Sequence, residues 1–193
     1  MVHPVTAGIL AGGAGSRMGR NKALLEFRGR PLLARQLDLL RPLFERVILG
    51  ANDPAPYADF GIEVVPDLLS ERCALTGIHA LLSASRTGHV FVAACDLPFL
   101  NPALIEELLG RREGWDVVLA VTARGPEPLH AIYSRACLPA IETCAREGRW
   151  KATAFHGRVR VLEVPVREED WAVEGRSPFL NLNTPEEFRD AGP

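Results

Sequence analysis

Strands alternating with helices along the whole chain predict an α/β fold, a single doubly wound, mostly parallel sheet with helices on both faces. Three observations carry this. Short apolar runs recur between stretches of helical spacing. The most apolar run, His89 to Ala94, shows no alternation, as expected of a strand covered on both faces. A loop crowded with glycine, Gly12, Gly13, Gly15 and Gly19, directly follows the first apolar run, Val5 to Leu10.

Taken in order, Pro31 to Leu43 has leucines at 32, 33, 37, 39, 40 and 43, which predicts a helix with Arg35, Gln36, Asp38 and Arg41 on its other side. Arg46 to Gly50 reads as the next strand, ended by Asn52-Asp53-Pro54, and Ile62 to Pro66 as a third. Leu75 to Ser85 is helical, and His89 to Ala94 is the central strand. Asn101 caps a helix from Pro102 to Arg112, with proline in its first turn. Asp116 to Thr122 and Leu129 to Tyr133 read as strands, and Ala136 to Arg146 as a helix. Val159 to Val164 alternates as a half-exposed strand does, and Thr184-Pro185-Glu186-Glu187 opens a closing helix.

A chain of 193 residues with 47% hydrophobic and 24% charged residues predicts one globular domain with a full core. A net charge of −2 with scattered basic residues leaves no footprint for nucleic acid. No stretch approaches a membrane span, and Met1-Val2-His3-Pro4 lacks the basic start of a signal peptide. Cys73, Cys95, Cys137 and Cys144 lack metal-ligand spacing and read as reduced thiols, which predicts a cytoplasmic protein.

The chemistry centres on Leu10 to Lys22. Glycines let backbone N–H groups turn towards phosphate oxygens. The loop is neither a P-loop, since Arg20 and Asn21 separate Gly19 from Lys22, nor a G-x-G-x-x-G fingerprint, being one residue too long. Arg17 can fork onto two phosphate oxygens. Among twenty arginines the chain has only two lysines, Lys22 and Lys151, so lysine at the end of this loop points to a need for its compact shape. Asp96, directly after the most buried strand, suits a magnesium ion that keeps several waters and takes one or two carboxylates; it equally suits a cap on the turn before Pro98. Asn52, Asp67 and Asp96 all fall after strands, at the carboxyl edge where such sheets bind ligands.

Leu10-Ala11-Gly12-Gly13, Ser16-Arg17-Met18-Gly19, Lys22-Ala23-Leu24-Leu25 and Gly29-Arg30-Pro31-Leu32 together resemble the signature of nucleotidyltransferases that activate small phosphorylated substrates. Gly12-Gly13 is most similar to the molybdenum cofactor guanylyltransferases of the MobA type; cytidylyl-transferring relatives usually read Ala-Ala-Gly. Cys95-Asp96-Leu97-Pro98, Leu75-Thr76-Gly77 and Asn181-Leu182-Asn183-Thr184-Pro185-Glu186-Glu187 resemble further segments of that family, whereas Asn21 departs from its usual aspartate. The resemblance implies a Rossmann-like nucleotidyltransferase fold, with a nucleotide half over about residues 1–100 and an acceptor half over about 101–193.

It also implies transfer of GMP from GTP to molybdopterin with release of pyrophosphate. Leu10, Ala11, Gly12, Gly13, Ser16, Arg17, Lys22, Gly50, Asn52, Asp67, Leu75, Gly77 and Asp96 would meet the nucleotide. Arg17, Lys22 and Asp96 would carry catalysis, Asp96 as the magnesium ligand. Asn181 and Asn183, with Arg149 and Lys151, are candidates for the acceptor, as are Arg124, His130 and a stacking Trp150. Transient contact with other cofactor-biosynthesis proteins is also expected. The alternatives are a CTP-dependent molybdopterin enzyme, another small-substrate nucleotidyltransferase, and a nucleotide-binding carrier without turnover.

Overall fold

In the computed structural model, residues 2–11, 21–182, 187, 188 and 191 are described. Among them a seven-stranded sheet forms the frame. Its strands are β1 (His3–Leu10), β4 (Phe44–Gly50), β5 (Glu63–Val65), β6 (His89–Ala94), β7 (Val117–Thr122), β8 (Gly125–Ser134) and β9 (Val161–Pro165). A separate hairpin joins β2 (Glu26–Phe27) to β3 (Arg30–Pro31). The sheet order is β5-β4-β1-β6-β8-β7-β9. All neighbours are parallel except β8, which opposes both β6 and β7. A loop of two residues, Ala123 and Arg124, leads from β7 into β8, and so short a link can only reverse the chain.

The helices are α1 (Leu32–Leu40), α2 (Ala74–Ala84), α3 (Pro102–Gly110) and α4 (Leu138–Arg146). Leu33, Leu37 and Leu40 of α1 and Leu104, Ile105, Leu108 and Leu109 of α3 bury against one sheet face. Ile78, Leu81 and Leu82 of α2 and Ile141 and Cys144 of α4 cover the other. The result is the expected three-layer α/β arrangement, since a sheet apolar on both faces must be covered on both.

Several boundaries differ from the sequence reading. The first helix begins after Pro31, which is extended and paired with Glu26 in the hairpin, and it ends by Arg41 because Pro42 has no N–H to continue it. Gln36 is not on the exposed side: it is 2% exposed and sits in the same buried stripe as Leu32, Leu33, Leu37 and Leu40. Strand β8 starts at Gly125 rather than Leu129; its register slips between Leu119 and Val121, where Pro126 pairs with Val121. A 3-10 turn, Arg135–Cys137, precedes α4. The Asn101 cap holds, accepting from the N–H groups of Ala103 and Leu104 at 2.8 and 3.1 Å. The expected helix start at Thr184-Pro185-Glu186 lies outside the described residues.

His130 is packed, not presented. It is 1% exposed, edge-on between the rings of Phe91 and Phe179, and neither ring nitrogen bonds to another residue. Burial pushes its pKa down to about 4, so the ring is neutral in the fold. The unfolded chain protonates first as pH falls, so this contribution to stability is whole above about pH 6.5 and is lost towards pH 4. Replacing the ring by an apolar side chain removes that dependence. For His130→Leu, chemical denaturation is expected to show the stability difference between pH 7 and pH 5 reduced by about 2 kcal/mol relative to wild type.

Candidate functional site

The site is built on the carboxyl edge of the sheet. Leu10 lies level with Gly50 on one side and Ala94 on the other, and Gly50 lies level with Val65. Each strand is prolonged by one further bond: Cys95 N–H to the Leu10 carbonyl, Ala11 N–H to Gly50, and Ala51 N–H to Val65, all at 3.0 Å. Among the described residues, Asn52, Asp67 and Asp96 come directly after these prolonged ends, while the glycine loop that follows Ala11 lies outside the described residues. Three separate sequence signals thus stand just beyond the same edge, on strands that flank or neighbour the one the glycine loop follows. The edge also contains the topological switch point: from β1 the chain proceeds outward to β4 and β5, then crosses back through α2 to β6 on the other side of β1. In doubly wound sheets such a point is where ligands bind, outside the carboxyl ends of the strands.

Two side chains meet at this point. Lys22 Nζ donates to Asp96 Oδ2 at 3.1 Å, with 23% and 17% of the two side chains exposed. Lys22 opens a 3-10 turn, Lys22–Leu24, whose cap is Asn21. The Asn21 carbonyl oxygen accepts from Ala23 N–H at 3.2 Å, and its amide donates to the Tyr57 hydroxyl at 2.8 Å. Burial raises the Tyr57 phenol, which keeps that hydroxyl protonated. Asn21 therefore uses both ends of its amide to fix the turn that carries Lys22. The hairpin that follows packs Phe27 edge-on against Phe99, three residues past Asp96, at 5.7 Å between ring centres. Sequence segments about seventy residues apart are thereby locked together on both sides of the ion pair.

Asp96 is held by its backbone as well. Leu182 N–H donates to its carbonyl at 3.1 Å, which brings exposed Asn181 next to it in the chain. From α1, the Gln36 amide donates to the carbonyls of Ala94 at 2.7 Å and Leu97 at 3.0 Å. Gln36 escaped the sequence reading because it was assigned to the polar side; its spacing of four from both Leu32 and Leu40 was the available signal. Cys95 is no nucleophile: burial, with Asp96 beside it, pushes its thiol up to about 12.

Asn52 and Asp67 form a second pair on the same edge. The Asn52 amide donates to Asp67 Oδ2, and Asp67 N–H donates back to Asn52 Oδ1, each at 2.8 Å. This reciprocal pair orients a carboxylate whose side chain is still partly open. Gly50 and Gly77 have a packing reason visible only in three dimensions. A Cβ on either would meet the Leu10 side chain, at 2.9 and 2.6 Å.

Leu75 is wholly buried and Leu10 nearly so, which leaves their backbone rather than their side chains for any contact with a nucleotide. The Ala11 N–H is spent on Gly50, so a phosphate cradle would start beyond it. Gly12, Gly13, Ser16, Arg17 and Asn183 lie outside the described residues. Arg149 is committed to the Ala154 carbonyl at 2.8 Å and to Glu147 at 3.4 Å, and Trp150 packs against the cluster beneath α2 and α4. Lys151 is exposed beside them, and His130 is closed off. Arg124 pairs with Glu168 at 3.0 Å. Beyond the ends of β7 and β9, on the same sheet edge, a cavity of about 860 Å³ is lined by residues including Thr122, Val166, Arg167, Glu168, Asp170 and Trp171.

Among the described residues no three potential metal ligands cluster and no helix is long and apolar enough to cross a membrane. Asp96 fits a magnesium ion in a narrower sense. It is a single part-buried carboxylate already facing a cation, and magnesium needs few protein ligands.

Comparison with known proteins identifies the family. Residues 7–161 match the family described as the MobA-like NTP transferase domain. A Desulfosudis oleivorans protein named molybdenum cofactor guanylyltransferase is 35% identical over 189 residues, covering 97% of this chain and 94% of the relative. A Pelotomaculum thermopropionicum protein named as a probable molybdenum cofactor guanylyltransferase is 35% identical over 183 residues, covering 95% and 89%. The crystal structure of molybdopterin-guanine dinucleotide biosynthesis protein A from Archaeoglobus fulgidus superposes with a TM-score of 0.81 at 27% identity, over 97% of this chain and 96% of that one. With its edge of paired side chains at the switch point and these relatives along its length, the chain belongs to the family of MobA-like NTP transferases.

Proposed function

We propose that this protein transfers GMP from GTP to the terminal phosphate of molybdopterin and releases pyrophosphate. The observation that carries the reading is the Lys22–Asp96 pair at the switch point, with the Asn52–Asp67 pair on the same edge. An acceptor phosphate oxygen bonds to the α-phosphorus of GTP as the bond from that phosphorus to the β-phosphate oxygen breaks, and the electron pair leaves with pyrophosphate. The acceptor supplies the nucleophile, which agrees with a Cys95 thiol held protonated. The protein's part is positioning and charge neutralisation.

Lys22 places a compact positive charge where the phosphates lie, and Arg17 adds a forked one. Asp96 would hold magnesium, which neutralises charge on the triphosphate when bound. Asp67, steadied by Asn52, presents carboxylate oxygens to the N1–H and 2-amino edge of guanine or to the ribose. The acceptor approaches from the side of β7 and β9, where the 860 Å³ cavity opens on the same sheet edge. Four free cysteines suit reaction in the cytoplasm.

The test is pyrophosphate release with GTP, ITP, CTP, ATP and UTP, with magnesium, in the presence and absence of molybdopterin. Release is expected only with molybdopterin and fastest with GTP. ITP, which lacks the 2-amino group, is expected to be poorer if Asp67 reads the base and equal to GTP if it reads the ribose. Preference for CTP would overturn the guanylyl reading, and nucleotide binding without release would make the protein a carrier.

A further inference from the structure

We infer that Gln36 is a positioning residue for Asp96, setting the turn that aims its carboxylate; the inference rests on the proposed role of Asp96 as metal ligand. Gln36 occupies a place in α1 that its neighbours in the stripe fill with leucine, and it is 2% exposed. Its amide nitrogen gives its two protons to the carbonyls of Ala94 and Leu97, at 2.7 and 3.0 Å, which bracket Asp96 on either side. The same short turn is closed only weakly by itself, through Leu97 N–H to the Ala94 carbonyl at 3.4 Å. Gln36 therefore bridges the two ends of a turn whose own bond is long. The Leu182 N–H holds the carbonyl of Asp96 from the other side, so the backbone of this residue is tied from two elements.

A second observation separates this from ordinary packing. The Gln36 Oε1 is buried with no hydrogen-bond partner. An unpaired buried acceptor is costly, and an apolar residue of the same size would avoid it. The side chain is balanced on its donor end alone, and that end faces the Asp96 turn. A residue that spends stability in this way and whose side-chain hydrogen bonds go to the backbone on either side of Asp96 acts on the aim of that carboxylate.

The experiment compares wild type, Gln36→Met, Gln36→His and Asp96→Asn. Manganese, which is visible by electron paramagnetic resonance, replaces magnesium, and its affinity is measured with GTP bound. Methionine keeps the length and loses both donors; its affinity for manganese is expected to fall about 10–100-fold. Its kcat is expected to fall by up to about 10²-fold while KM for GTP changes little, as for a misaimed group rather than a lost binding contact. Histidine keeps one N–H for one carbonyl and is expected to lie between, so it decides the matter if the methionine variant does not fold. Wild-type manganese affinity and kcat in either folded variant, even with lowered thermal stability, would make Gln36 purely structural and overturn the inference. If Asp96→Asn itself keeps manganese affinity, the metal reading falls and this inference with it. If Asp96→Asn loses affinity and the Gln36 variants keep it, only the inference about Gln36 falls.

Discussion

Asp96→Asn is expected to lower kcat about 10²–10³-fold, the loss seen when one preorganised electrostatic group is removed from a reacting phosphate or oxyanion. Asparagine keeps the size of the side chain, and the turn is held by Leu182 and Gln36 through backbone carbonyls. The fold is therefore expected to survive. The Lys22–Asp96 pair is partly exposed, so its loss should alter stability by no more than about 1 kcal/mol. The half-saturating magnesium concentration is expected to rise at least about tenfold. Steady-state kinetics with magnesium titrated at saturating GTP, alongside a thermal melt, checks all three. A normal magnesium requirement with a large fall in kcat would show that Asp96 acts on the substrates without the metal.

The second large effect is at Lys22. Lys22→Ala is expected to lower kcat about 10²–10³-fold with a smaller change in KM for GTP, because a charge next to the transferring phosphate matters most in the transition state. Lys22→Arg is expected to recover little of this. The partly buried ammonium stands 3.1 Å from Asp96, on a turn fixed by Asn21 and Tyr57. A planar guanidinium is wider, carries its donors in a rigid fork and cannot take the same point position. Pyrophosphate release by the two variants at saturating substrates decides it. Near-normal activity of the arginine variant would mean that charge alone is needed there, and the scarcity of lysine in this chain would then have no functional meaning.

Much of this site was legible before folding was considered. The hydrophobic runs marked where strands end, and a polar residue just past an apolar run is a local feature. Asn52, Asp67 and Asp96 stood out for that reason, and Lys22 stood out by composition. Gln36 did not, because helical periodicity assigns faces by polarity, and a polar residue is placed on the wet face unless a buried partner is known. Those partners, the carbonyls of Ala94 and Leu97, come from a strand end sixty residues away. His130 is open to two readings for the complementary reason: a histidine beside an apolar run is more often core than ligand, but local sequence alone does not exclude the ligand. Only the enclosure between Phe91 and Phe179 decides for core.

By itself, the order of residues determined the α/β class, the alternation of strand and helix, and the glycine loop and three polar signals at strand ends, because each depends on periodicity or on neighbours in the chain. The tertiary structure decided which ends share an edge, through the register of Leu10 with Gly50 and Ala94 and of Gly50 with Val65. It also decided that β8 runs against its neighbours, that Lys22 meets Asp96, and that Gly50 and Gly77 make room for Leu10. Contacts between residues distant in sequence depend on how loops close and how side chains fill the remaining space, and neither is encoded in any local pattern.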